Sequence, residues 1–299
     1  MNPIYGVLAH PRRPQTAPLA QAIAHSLQTR GVQAWWQAEW DDERVRPDVQ
    51  AAHLVVAIGG DGAMLRAARV CAPYGVPVLG INTGRLGFLT EIAHSEDWPQ
   101  VIDRVLCGDY WVERRMMMRV SLYDSLAEGA APRAVGDALN DVVIGGQSLG
   151  SMVQLDLYLD GDWATSYNSD ALIVATPTGS TAYALAAGGP ILPPDLLNFL
   201  IVPTAPHLSM DRSIVLSEGA RVDVLPSAQN RNPIIITSDG APLGELSAEG
   251  RVRVRASEHS ARFVRLRGRN YFYRSLLDKL EPRINRPPDR VFKLDDAQD

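Results

Sequence analysis

Residues 53–70 read HLVVAIGGDGAMLRAARV and decide how the chain folds. Positions 54–58 are wholly apolar and rich in β-branched side chains, long enough for one buried strand and too short for a helix. The run stops at Gly59-Gly60-Asp61-Gly62. Met64, Leu65, Ala68 and Val70 then recur at helical spacing, with Arg66 and Arg69 left to solvent. The predicted unit is strand, glycine turn, helix. Such a turn lets backbone approach a ligand without Cβ obstruction, and the helix start offers unpaired N–H groups and partial positive charge, which suits a phosphate. Asp61 is the odd residue there. A carboxylate beside phosphate repels it unless it binds a metal ion or takes a proton from an attacking hydroxyl, so Asp61 is read as catalytic. On these four residues alone, a plain tight turn remains the alternative.

Working outward, residues 4–9 form a predicted first strand and 10–18 a proline-punctuated loop. Leu19, Ile23 and Leu27 mark a helix that stops at Gly31, and 32–36 is a second strand. The acidic segment 39–48 reads as loop with about one turn of helix, and 76–81 is another short apolar strand. Strands alternating with helices imply a parallel sheet wound in the Rossmann manner, whose ligands gather at the carboxyl ends of the strands. Both 59–62 and the loop 82–91, NTGRLGFLTE, fall there. In that loop Gly84 and Gly87 permit a backbone wrap, Arg85 is placed to face a phosphate, and Phe88 is either a hydrophobic plug or a ligand contact. A helix is predicted over 95–106, ending at Gly108.

From Tyr110 the pattern becomes strands and turns. Met116, Met118 and Val120 alternate with Met117, Arg119 and Ser121, a period of two. Further strands are predicted over 134–144, 152–159, from 163 onward, 199–202, 214–216, 222–225, 234–237, 251–255 and 263–266, with Asp160-Gly161 as a hairpin turn. Arg251, Arg253 and Arg255 share one face of their strand and are read as a solvated face. One interruption, 170–190, reads DALIVATPTGSTAYALAAGGP. It predicts a buried strand, a turn, and an alanine-rich helix starting at Ser180 or Thr181 and ending at Gly188-Gly189, its first turn ringed by hydroxyls. A helix is predicted over 271–280, followed by a charged tail that frays.

With 299 residues there is room for two domains. A formal charge of −5 gives no electrostatic case for nucleic acid or an anionic membrane. Cys71 and Cys107 lack metal-ligand spacing and are read as reduced, small buried residues. No stretch approaches the length needed to cross a bilayer and no export signal is seen, so a soluble cytoplasmic protein is expected.

The strand and GGDG turn resemble the signature of a superfamily that includes the NAD kinases, the diacylglycerol and sphingosine kinases and, more distantly, the 6-phosphofructokinases. Thr-Pro-Thr-Gly-Ser-Thr-Ala-Tyr at 176–183, with Gly-Gly-Pro behind it, resembles the NAD kinase signature in a form the lipid kinases do not carry. Asn140-Asp141, Pro206-His207 and the 212–215 segment Arg-Ser-Ile-Val are similar to further family motifs, as is the loop 82–91.

The resemblance implies transfer of the terminal phosphate of ATP to the adenosine ribose 2′-hydroxyl of NAD, giving NADP. Asp61 would be the general base. Gly60, Gly62, Arg66, Arg85 and Phe88 would border the phosphates and nucleotide. Asn140 and Asp141 would bind ribose hydroxyls and adenine, Thr178, Thr181 and Ala182 the nucleoside amide groups, and Tyr183 would stack. Asp170 would reach the nicotinamide side, in this subunit or a neighbouring one, since the family assembles as homodimers and homotetramers. Mg²⁺ or another divalent ion would arrive with ATP, and no protein metal cage is expected. The implied fold is α/β plus β: a Rossmann-like α/β domain at 1–112, to which a helix from 270–299 returns, and a β-sandwich domain at 113–269. A lipid or sugar kinase and a non-catalytic NAD(P) sensor are the alternatives. Three departures stand out: Ala63 where threonine is common, Asp239-Gly240-Ala241 where many members have Asp-Gly-Gln, and Asn168 where members able to use polyphosphate tend to have glycine, which leans toward ATP as donor.

Overall fold

A computed structural model describes residues 3–38, 42–84, 87–127, 129–148 and 150–280. The chain forms two units, Met1–Leu266 and Arg267–Asp299. In order, the first carries β1 (Ile4–Leu8), α1 (Ala17–Thr29), β2 (Gln33–Gln37), α2 (Asp42–Ala51), β3 (Leu54–Ile58), α3 (Asp61–Cys71), β4 (Val78–Ile81) and α4 (Trp98–Leu106). Strands then dominate: β5 (Trp111–Tyr123), β6 (Ala134–Ala138), β7 (Asp141–Gly146), β8 (Val153–Leu159), β9 (Asp162–Ser169) and β10 (Ala171–Ala175). After the one-turn α5 (Tyr183–Ala186) come β11 (Asn198–Thr204), β12 (Ile214–Ser217), β13 (Val222–Pro226), β14 (Ile234–Ser238), β15 (Ala241–Leu246) and β16 (Arg251–Arg265). The second unit carries α6 (Tyr271–Leu280). The charged tail beyond Glu281 lies outside the described residues.

β3 is apolar throughout because both of its faces are covered. Leu54, Val56 and Ile58 pack with Ala20, Ile23 and Leu27 of α1, while Val55 and Ala57 pack with Met64, Ala67 and Ala68 of α3. A strand buried on both sides has no use for the polar half of an alternating pattern. β1 lies between β2 and β3, parallel to both, and β3 pairs in parallel with β4. Chain order therefore reverses direction across the sheet at β1, and the crevice this leaves at the carboxyl ends is where doubly wound sheets bind ligands.

The two parts share one sheet, which the sequence reading did not foresee. Residues 251–255 and 263–266, expected as separate strands, are the ends of the single strand β16, with an irregularity between Ala256 and Ser260. At ~3.3 Å per residue its fifteen positions span about 45–50 Å. That is enough to pair with β5 along its length, with β13 at its start, and in parallel with β4 through Phe263 and Val78. The resulting ten-stranded sheet faces a six-stranded antiparallel sheet ordered β12-β11-β10-β7-β14-β15. Met118, Val120, Leu157, Val222 and Val252 of the first interdigitate with Val142, Ile144, Leu172, Val174 and Ile236 of the second. This is the β-sandwich.

Other expectations need correcting. Residues 42–51 form the helix α2, not a loop, because Val45 and Val49 sit four apart and are buried against α3. The run 134–144 is broken at Leu139-Asn140: β6 pairs with β5, whereas β7 pairs with β10 and β14 in the other sheet. β5 has no solvent face around its methionines, since Met116 and Met118 enter the sandwich core and Met117 the core beneath α3. Arg253 grips Asp223 at 2.7 and 3.1 Å and Arg251 lies 4.7 Å from the Tyr123 ring, so of the three arginines Arg255 alone fits a solvated face. Cys71 is buried as expected but Cys107 is exposed. Among the described residues no helix is long and apolar enough to cross a membrane.

Candidate active site

Asp61 is the first residue of α3, and its carboxylate reaches across to the loop after β4 instead of capping its own helix. Phe88 N–H donates to Oδ2 at 2.8 Å and Leu89 N–H to Oδ1 at 3.0 Å. One N–H on each oxygen fixes the carboxylate plane and leaves lone pairs for a further donor. Among the described residues, and apart from its chain neighbours and its own helix, a Cβ at Gly60 or Gly62 would meet no atom within 4 Å, so the turn opens onto free space there. Asn82 shapes the same loop, its amide donating to the Gly84 carbonyl at 2.8 Å and the Ala93 carbonyl at 3.3 Å. Arg85 lies outside the described residues.

A basic group that the sequence reading missed gathers at the end of β1. Burial pushes the His10 imidazole below its ordinary range, and the charges of Arg13, Arg12 and Arg66 push it the same way against an opposing backbone hydrogen bond. Arg13 Nη1 donates to the Thr83 carbonyl at 3.5 Å. These cations stand at the sheet's carboxyl end, where phosphate is expected. No sequence motif marks them, because only the fold brings 10–13 to 66.

Asn140 and Asp141 open β7, and the turn that carries them is held by Asp239, a residue noted in the sequence only for the alanine two positions on. Asp239 has φ +47°, and its carboxylate accepts from the N–H groups of Leu139 at 2.8 Å, Asn140 at 2.7 Å and Asp141 at 3.2 Å. Burial raises the Asp239 carboxyl above the usual range, opposed by these three donors and by Arg69. Burial, with the charge of Asp239 second, pushes Asp141 up to about 6. The turn after β10 packs directly on this one. Thr176 N–H donates to the Asn140 carbonyl at 2.9 Å, Thr176 Oγ1 to the Leu139 carbonyl at 2.5 Å, and Gly179 lies so close to the Asn140 carbonyl that a Cβ would overlap it.

The expected alanine-rich helix is only the four residues of α5, preceded by one 3-10 turn at Gly179–Thr181. Its hydroxyls hold the turn itself. Thr181 Oγ1 donates to the Thr178 carbonyl at 3.2 Å, Ser180 Oγ to the Pro177 carbonyl at 2.7 Å, and Thr178 Oγ1 accepts from Arg115 Nη1 at 3.1 Å. Ala182, with φ −106° and ψ −125°, separates the two short helices, so a helix N-terminus is not the feature that would recognise a ligand here.

Two clusters emerge. Leu139 shares a buried cluster with Ala63, Met64, Ala67 and Leu89, which brings the Asn140 turn to the α3 and β4 side that bears Asp61 and Phe88. Asp170 and Tyr183 instead line an open cavity of about 340 Å³ on the outer face of the second sheet, with Gly146, Thr204 and Thr237. Asp170 precedes β10 and Thr178 follows it, so five strand residues, about 17 Å, separate them. Another cavity, about 420 Å³, is lined by Arg46, Arg69, Arg119 and Asp137 and contains none of the residues nominated from the sequence.

A wound α/β half with a pinned carboxylate at its glycine turn, joined to a β-sandwich, places the chain among the two-part nucleotide kinases. Among solved structures, an NAD kinase from Archaeoglobus fulgidus in complex with ATP superposes with TM-score 0.70 and 26% identity, covering 91% of this chain and 97% of that one. The yeast NADH kinase complexed with NADH shares the fold at TM-score 0.79 and 21% identity, over 97% and 91% of the two chains. The ATP-NAD kinase N-terminal domain matches residues 6–110 and the ATP-NAD kinase C-terminal domain residues 139–266. An NAD kinase from Heliobacterium modesticaldum is 35% identical over 93% of this chain and 99% of its own, and one from Geotalea daltonii is 40% identical over 76% and 78%. The chain belongs to the NAD kinase family.

Proposed function

We propose that the chain transfers the terminal phosphate of MgATP to the adenosine ribose 2′-hydroxyl of NAD, with Asp61 as general base. The observation that carries this reading is the Asp61 carboxylate, fixed by the Phe88 and Leu89 amides beside open space at Gly60 and Gly62, in a chain of this family. Phosphoryl transfer asks the protein mainly for position and charge. A base held within hydrogen-bond reach of the hydroxyl is worth roughly 10²–10⁴-fold in rate. Arg12, Arg13 and Arg66 supply positive charge for the phosphates, with the His10 imidazole beside them held toward its neutral form, in support of the placement of Gly60, Gly62 and Arg66 at that end of the ligand. Phe88 borders the same pocket.

Asn140 and Asp141, held by Asp239, take the adenosine ribose and base. Thr178, Thr181 and Ala182 offer backbone and hydroxyl groups beside them. Tyr183 stacks on a planar base and Asp170 serves the nicotinamide side; the separation of Asp170 from Thr178 by the length of β10 supports completion of the site by a second subunit in a homodimer or homotetramer. A divalent ion arrives as part of MgATP, bound chiefly through the phosphates of the nucleotide. The chain divides near residue 112, consistent with the limits of the two family domains, and works in the cytoplasm.

Incubating the purified chain with NAD⁺ and MgATP tests the reading. Formation of NADP⁺ is the expected result. NAD⁺ bound without turnover would favour a sensor, and phosphorylation of a lipid or sugar in place of NAD⁺ would overturn the acceptor.

A further inference from the structure

Four charged side chains form a buried line between the two parts of the site. Side-chain exposure is 0% for Arg265, 1% for Glu91, 8% for Glu113 and 3% for Arg115. Arg265 donates from Nε to Glu113 Oε2 at 2.8 Å, and from Nη1 to the Leu89 carbonyl at 2.8 Å and Glu91 Oε2 at 3.3 Å. Glu91 Oε1 in turn accepts from Leu266 N–H at 2.8 Å. Arg115 Nε lies 3.0 Å from the same Glu113 Oε2, and its Nη1 donates to Thr178 Oγ1.

One end of this line is Leu89, whose N–H fixes Asp61 Oδ1, and the other is Thr178. Burial alone would raise the Glu113 carboxyl, but Arg115 and Arg265 outweigh it and hold it below the usual range. Buried ion pairs are poor sources of net stability, since well-packed apolar side chains do as well. What such a line does supply is a fixed distance and orientation between β4's loop and the turn after β10.

We propose that Arg265 and Arg115, bridged by Glu113, are positioning residues that set the spacing between the Asp61–Leu89 contact and Thr178. The proposal rests on the kinase reading for its kinetic consequences but not for its structural ones. Arg265 acts through Leu89 on Asp61, so it governs the chemical step. Arg115 acts through Thr178, so it governs nucleotide binding.

Arg265→Lys and Arg115→Lys keep the charge but lose the planar fork that meets several acceptors at once. In Arg265→Lys, kcat is expected to fall about tenfold with KM for NAD⁺ within about twofold of wild type, and amide hydrogen exchange at Phe88 and Leu89 to quicken about tenfold. In Arg115→Lys, KM for NAD⁺ is expected to rise about fivefold with little change in kcat, and that rise should vanish in a Thr178→Val background, as coupled residues require. Equal kinetic changes in both variants, additivity with Thr178→Val, or unchanged exchange at 88–89 would overturn the proposal. Should either lysine variant fail to fold, Glu91→Gln, which weakens the Arg265 grip and keeps an acceptor for Leu266, must shift kcat and 88–89 exchange in the same direction; no shift overturns the proposal. If the wild type makes no NADP⁺, the kinase reading fails on its own, and the exchange measurement alone decides the positioning role.

Discussion

Gly87 lies so close to Asp61 that a Cβ on the glycine would overlap the carboxylate. The glycine leaves the loop free to deliver the next two amides, Phe88 and Leu89, onto the two oxygens. Gly87→Ala should therefore displace the carboxylate without removing it. A shift of about 1 Å in a reacting group can lower the rate about 10²-fold. The expected outcome is a kcat loss of that order with KM for NAD⁺ nearly unchanged, read by steady-state kinetics on protein whose circular dichroism matches wild type.

Asp141 gives a pH prediction. Its folded carboxyl keeps the proton up to about pH 6, against an ordinary 3.8, so ionisation is disfavoured by the fold. The stability this group contributes is complete below the lower value and is lost as pH rises through about 6. Asp141→Asn removes that penalty and should raise stability at pH 7.5 by on the order of 2 kcal/mol, with the difference gone at pH 4. Thermal melts at the two pH values check it. If ionised Asp141 accepts from NAD, KM for NAD⁺ should rise below about pH 6 in wild type and stay flat in the variant.

Asp239 supports the Asn140 turn with three amide bonds from a left-handed backbone position. Leaving buried donors unsatisfied costs about 1–3 kcal/mol each, and alanine also tolerates positive φ poorly. Asp239→Ala should lower stability by about 3 kcal/mol or more in denaturant titration and raise KM for NAD⁺. Asn, which tolerates the backbone and keeps one acceptor oxygen, should retain about half of that stability.

Much of this was legible in the chain. The apolar 54–58 run and GGDG turn predicted a strand and helix that are present as β3 and α3, and the period-two segments after Tyr110 predicted a β-rich second part. What could not be read depended on distant pairing. Nothing local says that Asp239 caps a turn a hundred residues away, that His10 and Arg13 stand beside Arg66, or that Arg115 and Arg265 share one glutamate. Arginine in an alternating strand reads as a solvent position, and only a partner supplied by another strand reverses that. α2 was hidden by its charges, and the shortness of α5 by alanines whose helix propensity exceeds what the following glycines and Pro190 allow.

The central claim is that Asp61 takes the proton from the attacking hydroxyl, and the most direct test compares NADP⁺ formation by wild type and Asp61→Asn at saturating NAD⁺ and MgATP. The amide keeps the size of the side chain and one acceptor for the loop but cannot serve as the base. A fall in kcat of roughly 10²-fold or more, with NAD⁺ binding retained, is the predicted result. A variant that turns over within about threefold of wild type would contradict it, leaving Asp61 only its hold on Phe88 and Leu89.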